Sequence, residues 1–542
     1  EVDWLYAEEL SVRSNYFWSP DGKHILFLQM DETGAPSYPI TDYSETHARA
    51  DQEKYPQPGD SNPAVRLGVI STTGGKPKWL SLSDEKDVYI PRFGWVNDEV
   101  AWAEVLNRKQ DHMDYYFVNT KTGDQRKVLT DDESGYWVNV NDDFRLLKSG
   151  DRFVMSSWRD GHTHLYLYSF DKQDPLSADA RLERQLTRGD FEVLGVQAVD
   201  EAAGVAYFTC NIDDPRQVQL YSVKLDGTGL RKVSQEGGTH KPTFADNAKY
   251  YVDDYSATLT PPRLSVCAAG EACKTVWDSR TVTNFALIQP KFLEFTADDG
   301  TKLYGSLLLP PEGVGNGKLP LIVDIYGGPA AQVVVNEWIG TTGLFHQLMA
   351  RRGFAIFAVD NRGTPGRDRK FQSAVRNQFG AVELEDQLAA LDQLLAQYSQ
   401  IDRSRVGIWG WSNGGSMTLY AMTHSDAFKA GVSVAPVSQW RLYDSTYTER
   451  WLGTPQTNLK GYNDSDMTAS AASLHGSLLL VHGTSDDNVH FQNTVQMVDA
   501  LIKAGKQFRL MIYPGKTHGI GGSADRNHLF HMIEDHFERE LK

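Results

Sequence analysis

The stretch Gly410-Trp411-Ser412-Asn413-Gly414 constrains the fold of this chain more than any other five residues. It follows Arg405-Val406-Gly407-Ile408-Trp409, an apolar run that reads as a short buried strand, and it precedes Ser416 to Met422, which can start a helix directly after the paired glycines 414 and 415. A serine between glycines at a strand-to-helix turn fits the pattern G-x-S-x-G, in which a strained turn lifts the hydroxyl above the edge of a sheet. Such a turn leaves little room for a Cβ, so small residues flank the serine. Five-residue patterns recur by chance, and the rest of the chain must agree before the serine is read as a nucleophile.

It does agree, beginning with the alternation of strands and helices. Pro320 to Ile325 and Gly353 to Asp360 read as buried strands, followed by the loops Tyr326-Gly327-Gly328-Pro329 and Asn361-Arg362-Gly363. Leu384, Leu388, Leu391 and Leu395 recur at helical spacing. This alternation predicts a parallel α/β sheet. Leu478 to His482 is a further strand, ending in Gly483-Thr484-Ser485-Asp486-Asp487, and Phe508 to Tyr513 leads into Pro514-Gly515-Lys516-Thr517-His518-Gly519. A carboxylate and an imidazole therefore sit at the carboxyl ends of strands, where ligands and catalysts gather in open α/β sheets. Taken alone, a loop histidine is usually a surface residue and an aspartate often closes a turn. The order Ser412, then Asp486 or Asp487, then His518 is that of α/β-hydrolases, with Ser412 as nucleophile and His518 as general base. Asp486 is preferred over Asp487 as the residue that orients the imidazole. The oxyanion would take one donor from the Asn413 N–H and a second from the Tyr326 hydroxyl; the plainer alternative for Tyr326 is a packed ring beside a Gly-Pro turn.

Several longer strings give the chain a family resemblance. Besides Gly410 to Gly415 they are Val434-Ala435-Pro436-Val437-Ser438-Gln439-Trp440, Tyr443-Asp444-Ser445-Thr446-Tyr447-Thr448-Glu449-Arg450 and His482 to Phe491. The chain resembles the dipeptidyl peptidase IV branch of the prolyl oligopeptidase family over almost its whole length. The resemblance implies Ser412, Asp486 and His518 as the triad, and Tyr326 as the side-chain oxyanion donor. It implies a proline-accepting pocket of Val437, Trp440, Tyr443, Tyr447 and Val489, with Asn488 helping to bind the carbonyl of the penultimate residue. Aromatic faces suit a compact, rigid ring that has no N–H to satisfy. Tyr443 and Tyr447 are four apart, a spacing that predicts one face of a helix; without the resemblance they read as core. Asp3 to Leu10 resembles the family's double-glutamate segment, so Glu8 and Glu9 would grip a free α-ammonium, although two adjacent glutamates by themselves read as solvated surface. Charge-assisted pairing there closes the cleft to longer amino-terminal extensions. The implied substrates are peptides with a free N-terminus and proline or alanine in second place. No cofactor or metal is implied. An acylaminoacyl peptidase or general oligopeptidase is the alternative, and a catalytically silent binding homologue a further one.

The N-terminal half repeats. A strand, a polar turn and a second strand recur at Val65 to Ser81, Tyr115 to Thr130, His164 to Thr187 and Gln219 to Ser234, with a fifth copy near Leu264. The starts are 50, 49 and 55 residues apart, close to the period of a β-propeller blade. Trp18-Ser19-Pro20-Asp21-Gly22 opens another hairpin. The expected architecture is an all-β propeller over 1–286, about five blades and incomplete at its N-terminus, followed by an α/β-hydrolase domain over 287–542 with a doubly wound, mostly parallel sheet. The family's propeller usually has eight blades and its double-glutamate segment lies well inside, whereas here it stands at residue 8. More propeller sequence is therefore expected before Glu1. The family also binds substrate with an arginine from the earlier propeller, and no residue here takes that part.

Composition excludes more than it selects. At 542 residues one core is improbable, and 54 basic against 71 acidic residues, a net charge of -17, argue against a nucleic-acid groove. No apolar run approaches the roughly 20 residues that span a bilayer. Of three cysteines, Cys267 and Cys273 are placed to face each other across a hairpin or to remain free, with Cys210 left over. A bond between them would favour a periplasmic or secreted protein over a cytoplasmic one. Asn527 to Leu541 reads as an amphipathic helix, and the resemblance implies a homodimer formed with such helices.

Overall fold

The structure, a computed structural model, describes every residue except 1, 45, 270, 271, 280, 281, 283 and 316. Tyr16 to Asp278 build five antiparallel sheets in succession, four of them four-stranded and one five-stranded, with a separate hairpin of Ser37–Asp42 and Arg49–Lys54 inserted in the first. The sequence repeat corresponds to the last two strands of each sheet. These pairs are Ala64–Ser71 with Lys78–Leu80, His112–Asn119 with Gln125–Asp132, His164–Ser169 with Arg181–Gln185, Gln219–Lys224 with Arg231–Lys232, and Thr260–Ala268 with Lys274–Asp278. The inner strands escape a periodicity search because sheet packing buries both their faces. Phe153 to Ser157 and Ala206 to Cys210 are buried at every position, and a strand covered on both sides has no polar alternation to detect.

The C-terminal half is one eight-stranded sheet. In chain order its strands are β1 (Lys291–Thr296), β2 (Lys302–Leu308), β3 (Leu319–Asp324), β4 (Ala355–Asp360), β5 (Ile401–Trp411), β6 (Ala430–Val434), β7 (Ser477–Gly483) and β8 (Arg509–Tyr513). Their spatial order is β1-β2-β4-β3-β5-β6-β7-β8, antiparallel across the first two contacts and parallel thereafter. Leu384, Leu391, Leu419, Met497 and Leu501, from the helices Ala381–Gln397, Asn413–His424 and Gln492–Lys503, share one core cluster with β3 and β5. The cluster on the other side of the sheet receives Phe345 and Met349 from Gly340–Arg351, and Leu529, Ile533 and Phe537 from Ser523–Leu541. Each such side chain contributes about 1.5–3 kcal/mol when fully buried.

Two helix starts differ from the sequence reading. The C-terminal helix begins at Ser523, four residues before Asn527. The helix after β5 begins at Asn413 and takes in both glycines, which were expected to precede it. Gly414 belongs there for steric reasons: a Cβ on it would lie 2.1 Å from the Ile325 carbonyl oxygen. Cys267 and Cys273 are joined by a disulfide, and Cys210 is buried and free. Among the described residues no helix is long and apolar enough to cross a membrane, and no cluster of side chains is arranged to hold a metal ion.

Candidate active site

Ser412 joins β5 to its helix with φ 58° and ψ -121°, left-handed backbone that a side-chain-bearing residue adopts only at a cost of order 1–3 kcal/mol. What holds it there is close approach. A Cβ on Gly410 would stand 2.3 Å from the Ile325 carbonyl oxygen, and the Ser412 N–H donates to the Val434 carbonyl at 2.9 Å. The loop after β8 carries His518, whose Nδ1 is 2.8 Å from Asp486 Oδ2. Asp486, in the loop after β7, is the carboxylate that reaches it; Asp487 is half-buried beside it. The indole of Trp411, next to the serine, donates to the His518 carbonyl at 3.0 Å and ties the histidine loop to the elbow strand. The bond from Ser412 Oγ to His518 Nε2 is not closed here; contacts of this kind often tighten only with substrate bound.

Asp486 is 1% exposed, yet four donors meet its two oxygens. Oδ1 accepts from the Asn488 and Val489 N–H groups at 3.0 and 2.9 Å, and Oδ2 accepts from His518 and from His482 Nε2 at 3.1 Å. Burial pushes this carboxyl up, but the hydrogen bonds from His482 and His518 outweigh it and hold it well below the usual carboxylate range. His482 was read from the sequence only as the end of a strand. Its Nε2 also lies 2.8 Å from the Val489 carbonyl, and its Nδ1 is 2.7 Å from Thr494 Oγ1. Because Nε2 faces two acceptors it carries a proton, and the imidazole is a donor to the aspartate.

The two expected oxyanion donors are physically joined. Asn413 Nδ2 donates to the Tyr326 carbonyl at 2.8 Å, so the residue after the serine grips the loop after β3. Asn361 Nδ2, at the end of β4, donates to the Gly327 carbonyl at 3.0 Å from the other side. Burial, and then the charge of Glu9, push the Tyr326 hydroxyl up to about 12, so it is a protonated donor at neutral pH.

Val437, Trp440, Tyr443, Tyr447 and Val489 fall in one cluster with Phe379 and Trp451. Trp440 and Tyr447 are stacked with centroids 6.0 Å apart, and Tyr443 stands edge-on to Tyr447 at 5.4 Å. The expectation that Tyr443 and Tyr447 share a helix face is corrected. Asp444 accepts from the Tyr447 N–H at 2.8 Å as N-cap, so the helix starts at Ser445 and Tyr443 is extended. The rings converge because the chain turns at this cap, not because of helical spacing.

Glu8 ends the helix Trp4–Glu8, and Glu9 is its C-cap. A relay of hydrogen bonds leads from the aromatic pocket to this end: the Tyr443 hydroxyl donates to Asn488 Oδ1 at 2.8 Å, and Asn488 Nδ2 donates to Glu8 Oε1 at 2.8 Å. Burial, and then the charge of Asp444, raise the Glu9 carboxyl well above its ordinary value, with Arg450 opposing. Burial also pushes Asp444 itself up to about 7. Asp444 stands inside one of the strings that carried the family resemblance, but no sequence signal separated its electrostatic part from its capping part. The assembled site offers a hydroxyl nucleophile with an imidazole–carboxylate pair, donors for an oxyanion, an aromatic cup, and carboxylates where a cation would lie.

Comparison with known proteins places the chain in a family. Residues 1–262 match the dipeptidyl peptidase IV (DPP IV) N-terminal region, and residues 343–542 match the prolyl oligopeptidase family. A probable dipeptidyl peptidase 4 of Aspergillus flavus is 31% identical over 551 residues, which is 96% of this chain and 70% of that protein. A probable dipeptidyl-aminopeptidase B of Aspergillus terreus is 30% identical, and there the chain spans only 60% of the relative's length. The crystal structure of Porphyromonas gingivalis dipeptidyl peptidase 4 superimposes with a TM-score of 0.93 at 30% identity, covering 100% of this chain and 76% of that one. The chain belongs to the dipeptidyl peptidase IV branch of the prolyl oligopeptidase family.

Proposed function

We propose that this protein is a serine dipeptidyl peptidase that releases N-terminal dipeptides with proline or alanine in second place. Ser412 Oγ attacks the carbonyl of that residue while His518 takes its proton, with Asp486 holding the imidazole and balancing its charge. The Asn413 N–H and Tyr326 hydroxyl receive the oxyanion. His518 then returns the proton to the leaving amine, and water hydrolyses the dipeptidyl ester. Val437, Trp440, Tyr443, Tyr447 and Val489 enclose the penultimate ring, and Asn488 helps to bind the carbonyl of the penultimate residue.

The observation that carries this reading is the relay Tyr443–Asn488–Glu8, which ties a carboxylate from residue 8 to the catalytic domain 480 residues away. A cup ending in Glu8 and Glu9 measures two residues from a charged amine. The assignment of 1–286 to the propeller and 287–542 to the hydrolase is supported by the last sheet strand ending at Asp278 and β1 starting at Lys291. The disulfide supports an oxidising compartment outside the cytoplasm. If the C-terminal helix joins two copies, it does so through its polar face, since Leu529, Ile533 and Phe537 are buried at home.

The reading is tested with Ala-Pro and acetyl-Ala-Pro reporters. Acetylation is expected to abolish turnover, and Glu9→Gln to lower kcat/KM on the free amine about tenfold to a hundredfold. Equal rates on both reporters would overturn it in favour of an oligopeptidase.

A further inference from the structure

A second enclosed space lies behind the sheet, where Gly340–Arg351 and strands β2 and β4 meet the turn Thr258-Leu259 of the fifth N-terminal sheet. Its volume is about 80 Å³. One water needs roughly 10–15 Å³ on this measure, so there is room for a compact molecule of several heavy atoms. Most of the wall is apolar, with Phe292, Leu308 and Trp338 among its residues. Two ionisable groups interrupt it: Asp324, half-buried at the end of β3, and the buried His346.

The His346 ring is not satisfied as buried polar groups usually are. His346 is 8% exposed and its Nε2 has no hydrogen-bond partner; it stands 3.5 Å from Asp324 Oδ2, too long for a strong hydrogen bond. Burial pushes Asp324 up to about 7 and His346 down to about 4. Among the described residues the remaining charge on the wall is Glu337, paired with Lys241, and no described lysine or arginine lines the space. An anion is thus disfavoured. A donor that brings its own positive charge would ionise Asp324, and in this low-dielectric setting the resulting charge-assisted hydrogen bond is strong.

We propose that this cavity is a binding site, separate from the catalytic serine, for a compact apolar amine in its ammonium form, with Asp324 taking the ammonium, His346 beside it, and Phe292, Leu308 and Trp338 covering the apolar body. Such a ligand would sit two residues from Tyr326 along β3 and its loop.

Benzylamine is the probe, and calorimetric titration of the full chain is the measurement. The Glu9→Gln variant is used as host, because Glu8 and Glu9 offer amines a competing site. One site is expected to remain in this host. Adding Asp324→Asn should weaken it at least tenfold, and benzyl alcohol, the neutral counterpart, should bind at least tenfold more weakly than benzylamine. Ser306→Leu, which fills the cavity, should abolish it and serves if Asp324→Asn does not fold. Absence of any binding to Glu9→Gln would mean that the space takes only water and would overturn the proposal. Binding that ignores Asp324→Asn and Ser306→Leu would overturn it as well. Neither result bears on the peptidase reading, which stands on Glu9 and the reporters.

Discussion

Asp486 receives more hydrogen bonds than contact with His518 requires, and the surplus has a purpose. A carboxylate free to rotate would present either oxygen to His518 and blur the direction of the imidazole. The two backbone N–H groups fix Oδ1, and His482 fixes Oδ2 from the side opposite His518. His482 is thus a positioning residue that touches no substrate. Its buried ring also fills space, so loss of activity alone would not separate the two parts. Glutamine can place a donor near the position of Nε2 and leucine cannot. We expect His482→Leu to lower kcat by about tenfold to a hundredfold with KM nearly unchanged, in proportion to a lost hydrogen bond to a charged group. His482→Gln should recover most of that, and equal losses in both would leave His482 a packing residue. For Tyr326→Phe, kcat is expected to fall about a hundredfold to a thousandfold while the fold is kept; an unchanged kcat would remove the hydroxyl from the oxyanion site. Ser412, His518 and Tyr326 were legible in the sequence because each stands in a loop after an apolar strand. His482 was not, because a histidine inside a strand gives no sign of which way its ring turns.

The helix Ser445–Leu452 shows how one element serves two demands. Asp444 caps it and at the same time places a third carboxylate near Glu9. Its Oδ1 accepts from the Tyr447 N–H, and its carboxyl shares a hydrogen bond with that of Glu9; burial first of all raises both carboxyls. Below its elevated value Glu9 is protonated and cannot pair with an ammonium, so kcat/KM on free-amine substrates rises with pH through that value. Asparagine caps as well as aspartate. Asp444→Asn is therefore expected to keep Tm while removing the like charge, lowering the Glu9 value and moving the acid limb of the kcat/KM profile to lower pH. An unmoved limb would show that Asp444 acts only as a cap. At this scale the strands were legible from apolar runs bounded by turn residues, and the outer pairs of the N-terminal sheets from their period. The helix starts were less so. Asp444 looks like any residue of a helical stretch, and nothing local reveals that glycines 414 and 415 lie inside a helix until the carbonyls of Ile325 and Val434 are seen against them.

Across the whole molecule the helix Ser445–Leu452 is held by the N-terminal sheets rather than by its own domain alone. Arg108 forms two hydrogen bonds to Glu449, at 2.8 and 2.6 Å, and the Gly59 N–H donates to Glu449 Oε1 at 2.8 Å. Gln110 donates to the Thr446 carbonyl and accepts from Arg450, and Trp137 packs edge-on against Trp451 at 4.3 Å. None of this was legible, since the partners are more than 300 residues apart and each is an ordinary polar residue in its own segment. Glu449 is 5% exposed, so removing Arg108 leaves a buried carboxylate short of its cation. Breaking a buried pair from one side costs about 3–5 kcal/mol, whereas neutralising both partners is often close to neutral. Arg108→Met is therefore expected to lower Tm, and to lower kcat/KM on Ala-Pro reporters as Tyr447 loses its fixed support. In the double variant Arg108→Met/Glu449→Gln, the glutamine oxygen still accepts from Gly59 while the stranded charge is gone, and Tm should return most of the way. Thermal unfolding of the two single variants and the double variant completes the cycle. If Arg108→Met alone is no less stable than the double variant, the pair does not hold the domains together, and the support of the pocket must come from Gln110 and Trp137.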